Sequence, residues 1–296
     1  MRHFLLLAIV FFAMHTAHAQ FTITDIPAAF NTIHTTPQTI KIKRSNIKIP
    51  SGGHFQGIQA LSDSQFVITG SSSSYAYYIT TDRKTTTSIQ KLTDAPFRHA
   101  GGCQLMGTML FVGVEDNVAK DKSQIMIAGH IYPDSTPFSY PIISRSGIFK
   151  RSTAGAVGIT SALRGYLMAV ADWDSKNIDF YLCSDGNPKH FDSLTTFHAP
   201  DDHHWPSYQN INLLSAVGGK IYLIGMGLDG ISNRADLYEV DIDRYHVSMK
   251  LISTRYFSCR GHAGFRYASG IDISPDHKLI IYTLGMHLSS PINVFR

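Results

Sequence analysis

His54-Phe-Gln-Gly-Ile-Gln59, His99-Ala-Gly-Gly-Cys-Gln104, Gly155-Ala-Val-Gly-Ile-Thr160, Ser207-Tyr-Gln-Asn-Ile-Asn212 and Tyr267-Ala-Ser-Gly-Ile-Asp272 are five versions of one phrase. Their fourth positions fall at 57, 102, 158, 210 and 270, at intervals of 45 to 60 residues. Self-similarity near 50 residues belongs to propeller blades rather than to sandwiches. After each phrase come a turn and an apolar, β-rich run: 65–69, 109–114, 166–171, 220–225 and 278–284. Third strands are expected at 75–80, 123–128, 177–182 and 236–240, and weaker fourth strands near 88–92, 138–143, 190–197 and 247–253. Four short strands per repeat is the pattern of a blade, and no window of comparable length carries a helical period.

The ends complete the scheme. The last repeat stops after a third strand at 292–295, while an extra strand, Thr39 to Ile49, precedes the first. That strand can supply the missing outer strand of the last repeat, which removes two exposed sheet edges. The expectation is an all-β, five-bladed β-propeller of four-stranded antiparallel blades, with the N-terminal strand closing the last blade.

The strings HAGGCQ, AGAVGIT, ADWDSKNIDFY, YQNINLL and ADLYEVD, with their HxGGxQ pattern, resemble a set found in secreted bacterial and fungal β-propeller-like proteins. The resemblance extends over most of residues 50–285 and implies the architecture, not an activity. Similarity to the arabinanase-like five-bladed glycosidases is one of blade number: their acidic triad at strand starts has no convincing copy here.

Residues 1–19 read as a secretory signal peptide, with Arg2, an apolar run from Phe4 to Met14, and an Ala-x-Ala end at Ala19. The run is shorter than the roughly 20 residues a membrane span needs. A secreted or periplasmic protein is expected, its residues 20–296 forming one domain, with no membrane span and a monomeric state. The formal charge of +4 becomes +3 once Arg2 is removed, too small to argue for nucleic acid. Of the three cysteines, Cys103 reads as a small buried hydrophobe, and a Cys183–Cys259 bridge is an open alternative.

In a blade, the start of the first strand and the end of the second reach the same rim. His54, His99, Arg266, Tyr267 and the Trp205–Gln209 approach come there from first strands. Ser71, Glu115, Asp116, Asp172, Trp173, Asp174 and His287 come from second-strand ends. Imidazoles, carboxylates, an arginine and aromatics around one mouth describe a concave ligand site. The candidate ligand-binding residues are His54, His99, Glu115, Asp172, Asp174, Trp205, Tyr208, Arg266, Tyr267 and His287.

Three chemistries fit this set. His54 and His99 could join a carboxylate around a divalent metal such as zinc. Glu115 and Asp172, on successive blades, could work as a catalytic carboxylate pair. The aromatics and the His-rich run 200–206 could instead bind a small molecule, glycan or peptide without turnover. Binding is the leading expectation, with an extracytoplasmic hydrolase, metal-assisted or carboxylate-based, as the alternative. Gln59, Gln104, Thr160, Asn212 and Asp272 recur once per repeat and read as architecture, holding neighbouring backbone. Nucleophile elbows, phosphate loops and dinucleotide fingerprints are absent from the sequence.

Overall fold

The structure is a computed structural model that describes residues 22–42, 47–129, 131, 136–162, 165–200, 205–243 and 245–296. It opens with a short helix, α1 (Ile26–Thr32), and a short strand, β1 (Gln38–Ile40). Unit one follows as β2 (Phe55–Ala60), β3 (Gln65–Gly70), β4 (Tyr75–Asp82) and β5 (Thr86–Asp94). Unit two is β6 (His99–Met106), β7 (Met109–Glu115), β8 (Lys122–Gly129) and β9 (Phe138–Ser146). Unit three is β10 (Ala156–Ala162), β11 (Gly165–Ala171), β12 (Asn177–Cys183) and β13 (Asp192–His198). Unit four is β14 (Tyr208–Ser215), β15 (Ile221–Asp229), β16 (Ser232–Ile242) and β17 (Val247–Phe257). Unit five is β18 (Ser269–Ile273), β19 (Leu279–Thr283) and β20 (Ile292–Phe295), with β1 as its outer strand.

Each unit is an antiparallel meander, and the first strands of neighbouring units meet in parallel: Ser269 faces Gly57, and Ala156 faces Gly102. Both faces of a unit are buried, which is why the second strands read as unbroken apolar runs rather than as alternations. Leu110, Val112 and Val114 of β7 pack toward unit one, while Phe111 between them packs toward unit three. The same sorting produces five apolar clusters, one at each interface between consecutive units, including that between units five and one.

The repeated glycines mark where first strands crowd together. A Cβ on Gly57 would lie 2.6 Å from Cys103 Sγ, and one on Gly102 would lie 2.2 Å from Asn210 Oδ1. Unit four departs from the pattern. Its Asn210 occupies the glycine position and spends its side chain across the centre, donating to Gln56 O at 2.6 Å. Gln104 crosses in the same way: its Oε1 accepts from Ile159 N at 2.9 Å and Leu213 N at 2.8 Å, and its Nε2 donates to Leu213 O at 2.8 Å. Gln59 donates to Cys103 O at 3.2 Å. The once-per-repeat polar residues at 59 and 104 therefore act on neighbouring backbone.

Two expectations need correction. The closing strand spans Gln38–Ile40, paired with Ile292–Val294, rather than the whole of Thr39 to Ile49; residues 43–46 lie outside the described residues. A helix exists where no helical period was read. It is only 7 residues long, started by Asp25, whose carboxylate accepts from Ala28 N at 2.9 Å, and by a proline in its first turn. Tertiary burial of Ile26 and Phe30 between units four and five holds it, as expected for a helix too short to be stable alone. The cysteines are all free thiols; burial pushes Cys103 and Cys259 up to about 12. Residues 1–19, expected to be a signal peptide, lie outside the described residues, and among those described no helix is long and apolar enough to cross a membrane.

Candidate functional site

Strand register brings the proposed rim together. His99, the first residue of β6, stands directly opposite Glu115, the last of β7. One unit earlier, Ser71 N donates to His54 O at 3.0 Å, and one unit later Gly155 N donates to Ala171 O at 2.9 Å, beside Asp172. His287 lies in the connection between β19 and β20, whose Met286 O accepts from Phe55 N. A cleft of about 420 Å³ opens here, with His54 and His287 among its lining residues. A larger cavity of about 1090 Å³ lies between units three and four, lined by Leu167, Leu182 and Ile221 with Asp192 and Asp243. It lacks imidazoles, whereas His54 and His287 of the titratable cluster line the smaller cleft.

At the centre of that cluster runs a hydrogen-bonded chain. His99 Nδ1 is 3.0 Å from Glu115 Oε1, and Glu115 Oε2 accepts from Ala154 N at 2.9 Å. On the other side of the ring, His99 Nε2 is 3.0 Å from Gln56 Nε2, which also contacts His54 Nε2. An amide nitrogen only donates, so both imidazoles accept at Nε2. Each is then neutral with its proton on Nδ1, and His99 donates that proton to Glu115. Glu115 is 1% exposed, and a carboxylate so deeply placed requires such partners. Burial holds His54 down to about 4, and the charge of Arg266, like protonation of His99 or His287, acts in the same direction.

Aromatic rings flank the chain. The His54 and His99 rings lie 5.4 Å apart, Tyr267 stands edge-on to His54 at 6.4 Å, and Trp173 lies 5.9 Å from His99. Lys120 places its ammonium 3.9 Å over the Trp173 ring, a cation–π contact. Gln56, Lys120 and Ala154 are additions to the sequence-derived set. Gln56 lay in the opening phrase, two residues after His54, where its alternation with a histidine was the signal.

Several candidates have other employment. Asp172 caps its own turn, accepting from Asn177 N at 3.3 Å and Asn177 Nδ2 at 2.5 Å; burial raises its pKa. Glu115 is bound to His99 and Ala154. Both carboxylates expected as a catalytic pair are therefore engaged by groups of the protein. Asp174 is half-exposed and ion-paired with Lys150 at 2.8 Å.

Trp205 and Tyr208, expected among the ligand-binding residues, are engaged in packing. The Trp205 indole donates to Ser175 O at 3.0 Å, and its ring packs on Phe197, Tyr208 and Tyr238 at about 5.3 Å. Tyr208 is buried, with its hydroxyl donating to Asp236 at 2.6 Å. They lie at the interface between units three and four. His203 and His204 lie outside the described residues.

His54 and His99 are the imidazoles that could share a divalent ion, and the Gln56 amide stands between their Nε2 atoms. Among the described residues, no group of three or more His, Cys, Asp or Glu side chains is arranged to hold a metal.

No protein-family model and no curated protein matches the chain. In solved structures, the chain is similar to a GH43 endo-arabinanase from Bacillus licheniformis, with a TM-score of 0.50 and 8% identity over 86% of this chain and 95% of that one. An α-L-arabinanase from Penicillium chrysogenum, complexed with arabinobiose, gives a TM-score of 0.48 at 9% identity over 89% and 98%. An exo-β-1,3-galactanase from Phanerochaete chrysosporium gives 0.49 at 9% identity over 89% of this chain; the chain spans 63% of that enzyme's length. At such identities the likeness is one of fold: an all-β fold of curled sheets, similar to that of the GH43 β-propeller enzymes.

Proposed function

We propose that the chain is an extracytoplasmic hydrolase acting on a glycan, built as a closed five-bladed propeller, with His99 as its proton-accepting group. The observation that carries this reading is the chain Glu115–His99–Gln56–His54, whose His54 end lines the cleft. Neutral His99 keeps its lone pair on Nε2. When substrate and water displace the Gln56 amide from that nitrogen, Nε2 takes the proton of the attacking water as its oxygen bonds to the anomeric carbon; the bond from that carbon to the departing sugar oxygen breaks, and the imidazolium returns the proton to that oxygen. Glu115 holds the ring in the required tautomer and stabilises the imidazolium that forms, as a carboxylate does behind a catalytic histidine. A glycan is supported by the fold likeness, since the similar proteins are by name an arabinanase and a galactanase. The same reading takes residues 20–296 as one exported, monomeric domain freed of its leader, secreted or periplasmic.

General base catalysis of this kind contributes typically about 10²–10⁴-fold. The test is release of reducing sugar from arabinan, galactan and xylan by the mature protein, with His99→Gln and Glu115→Gln alongside. Loss of about 100-fold or more in kcat for His99→Gln, with KM little changed, is expected. Wild-type turnover on any of these glycans that survives His99→Gln would refute the role of His99.

A binding module is the second reading. One observation favours it: Asp172 is engaged by Asn177, which leaves no second acid free beside Glu115. Sugar binding by the wild type without any turnover would select it.

A further inference from the structure

The first strand of unit one breaks its ladder inside the opening phrase. Phe55 pairs with Gly70 and Gly57 with Thr69, so Gln56 is an extra residue with no counterpart on β3. The same break falls in unit two, between Ala100 and Cys103, and in unit four, between Tyr208 and Asn210, whereas β10 and β18 keep unbroken register with their second strands. A bulge takes its extra residue out of the ladder and re-aims the side chain. In unit one that side chain is the amide lying between the Nε2 atoms of His54 and His99.

A buried carbonyl outside the ladder needs another donor, and unit four supplies it. Asn210 Nδ2 donates to the Gln56 carbonyl at 2.6 Å and lies 3.5 Å from the carbonyl of Tyr267, whose ring stands edge-on to His54. Asn210 is fully buried and stands where the other units have glycine, at 57, 102, 158 and 270. Gly102 gives it room, since a Cβ there would lie 2.2 Å from Asn210 Oδ1. Among the described residues nothing donates to that oxygen, so the side chain is anchored through its nitrogen alone.

We propose that Asn210 is a positioning residue of the site: by holding the Gln56 carbonyl it fixes the bulge that keeps the Gln56 amide between the two imidazoles. It acts through Gln56. An amide hydrogen at Nε2 favours the neutral ring with its proton on Nδ1; freed of that bond, Nε2 competes for the proton. The inference deepens the reading of His99 as a base and rests on it for turnover, whereas the amide's placement is read from the imidazoles themselves.

The experiment is ¹⁵N NMR titration of the imidazoles in the mature protein, for the wild type, Asn210→Gly and Asn212→Ala. Glycine at 210 restores the residue of the other repeats and removes the donor. Asn212 lies two residues along the same strand, equally buried, and its amide has no partner among the described residues, so its truncation controls for loss of a buried amide in unit four. His99, His287 and Arg266, which act on His54, and Glu115, which meets His99, are the same in all three proteins. Asn210→Gly, folded by circular dichroism, should raise the His54 midpoint by about one pH unit, the equivalent of one hydrogen bond to the neutral ring. It should also shift the Nε2 resonances of both rings, while Asn212→Ala leaves them as in wild type. Gln56→Met keeps the backbone bond to Asn210 and removes only the amide, and should reproduce the same shifts. On any glycan the wild type hydrolyses, Asn210→Gly should lower kcat by up to about tenfold, the most that one hydrogen bond gives, with KM little changed.

Unshifted imidazoles in folded Asn210→Gly, or equal shifts in Asn212→Ala, would overturn the role of Asn210. Unshifted imidazoles in Gln56→Met would overturn it too, whether or not Asn210→Gly folds. The expected shifts in a wild type that hydrolyses no glycan would uphold the positioning role and sink the hydrolase reading alone.

Discussion

Gln104→Ala should be the most damaging single polar truncation at the centre of the fold. The Gln104 side chain is 3% exposed and joins three units, rising from β6 to meet Ile159 N on β10 and both the N–H and the C=O of Leu213 on β14. Alanine leaves two backbone donors and one acceptor without partners. Each buried unsatisfied group costs about 1–3 kcal/mol, and water entering the vacated space can recover part of that, so the expected loss is roughly 3–6 kcal/mol. In a domain of this size about 1 kcal/mol moves Tm by about 2–4 °C, which translates to a fall of roughly 6–24 °C. The comparison is Gln59→Ala, which removes a single bond, to Cys103 O at 3.2 Å, and should cost about 1 kcal/mol. Urea unfolding followed by tryptophan fluorescence supplies both values through the midpoint and slope. If Gln104→Ala lost no more than Gln59→Ala, the idea that this glutamine locks the units in register would be wrong.

Two further outcomes concern pH. Burial pushes the Asp272 carboxyl up to about 7 from 3.8, so between those values the folded chain binds more protons than the unfolded one and stability falls as pH rises. Asp272→Asn should remove that slope and raise Tm at pH 7 and above; a Tm–pH curve parallel to wild type would refute the assignment. His54 behaves in the opposite sense. Its folded value of about 4 lies below the ordinary 6.5, so its contribution is full above about pH 6.5 and lost as pH falls toward 4. Imidazole NMR should find His54 neutral at pH 5.5, and a midpoint near 6.5 would contradict its burial beside His99, His287 and Arg266.

Much of the architecture was legible because it is written locally and repeatedly. The phrase ending in Gln59 and Gln104 recurs because the same crowded approach of first strands recurs; a glycine is needed wherever a Cβ would strike the neighbouring strand. Apolar runs such as Leu110–Val114 follow from burial of both faces of a strand, a requirement that residue types express directly. The extent of β1 and the existence of α1 were not legible. Both depend on contacts with chain far away in sequence: Ile292–Val294 for the strand, and the interface of units four and five for the helix.

The site divides along the same line. That His54, His99, Glu115 and Asp172 share a rim follows from strand order, which the repeat alone reveals. Which of them work together does not, because that depends on side-chain directions across separate strands. Only the tertiary structure sends Glu115 to His99, gives Asp172 to Asn177, turns Trp205 and Tyr208 into the packing of units three and four, and inserts Gln56 between the two imidazoles. The sequence by itself determined the repeat, the rim and its inventory of acids and bases, since period and composition are properties of the chain. Pairing is a property of distances, which exist only once the units have closed on one another.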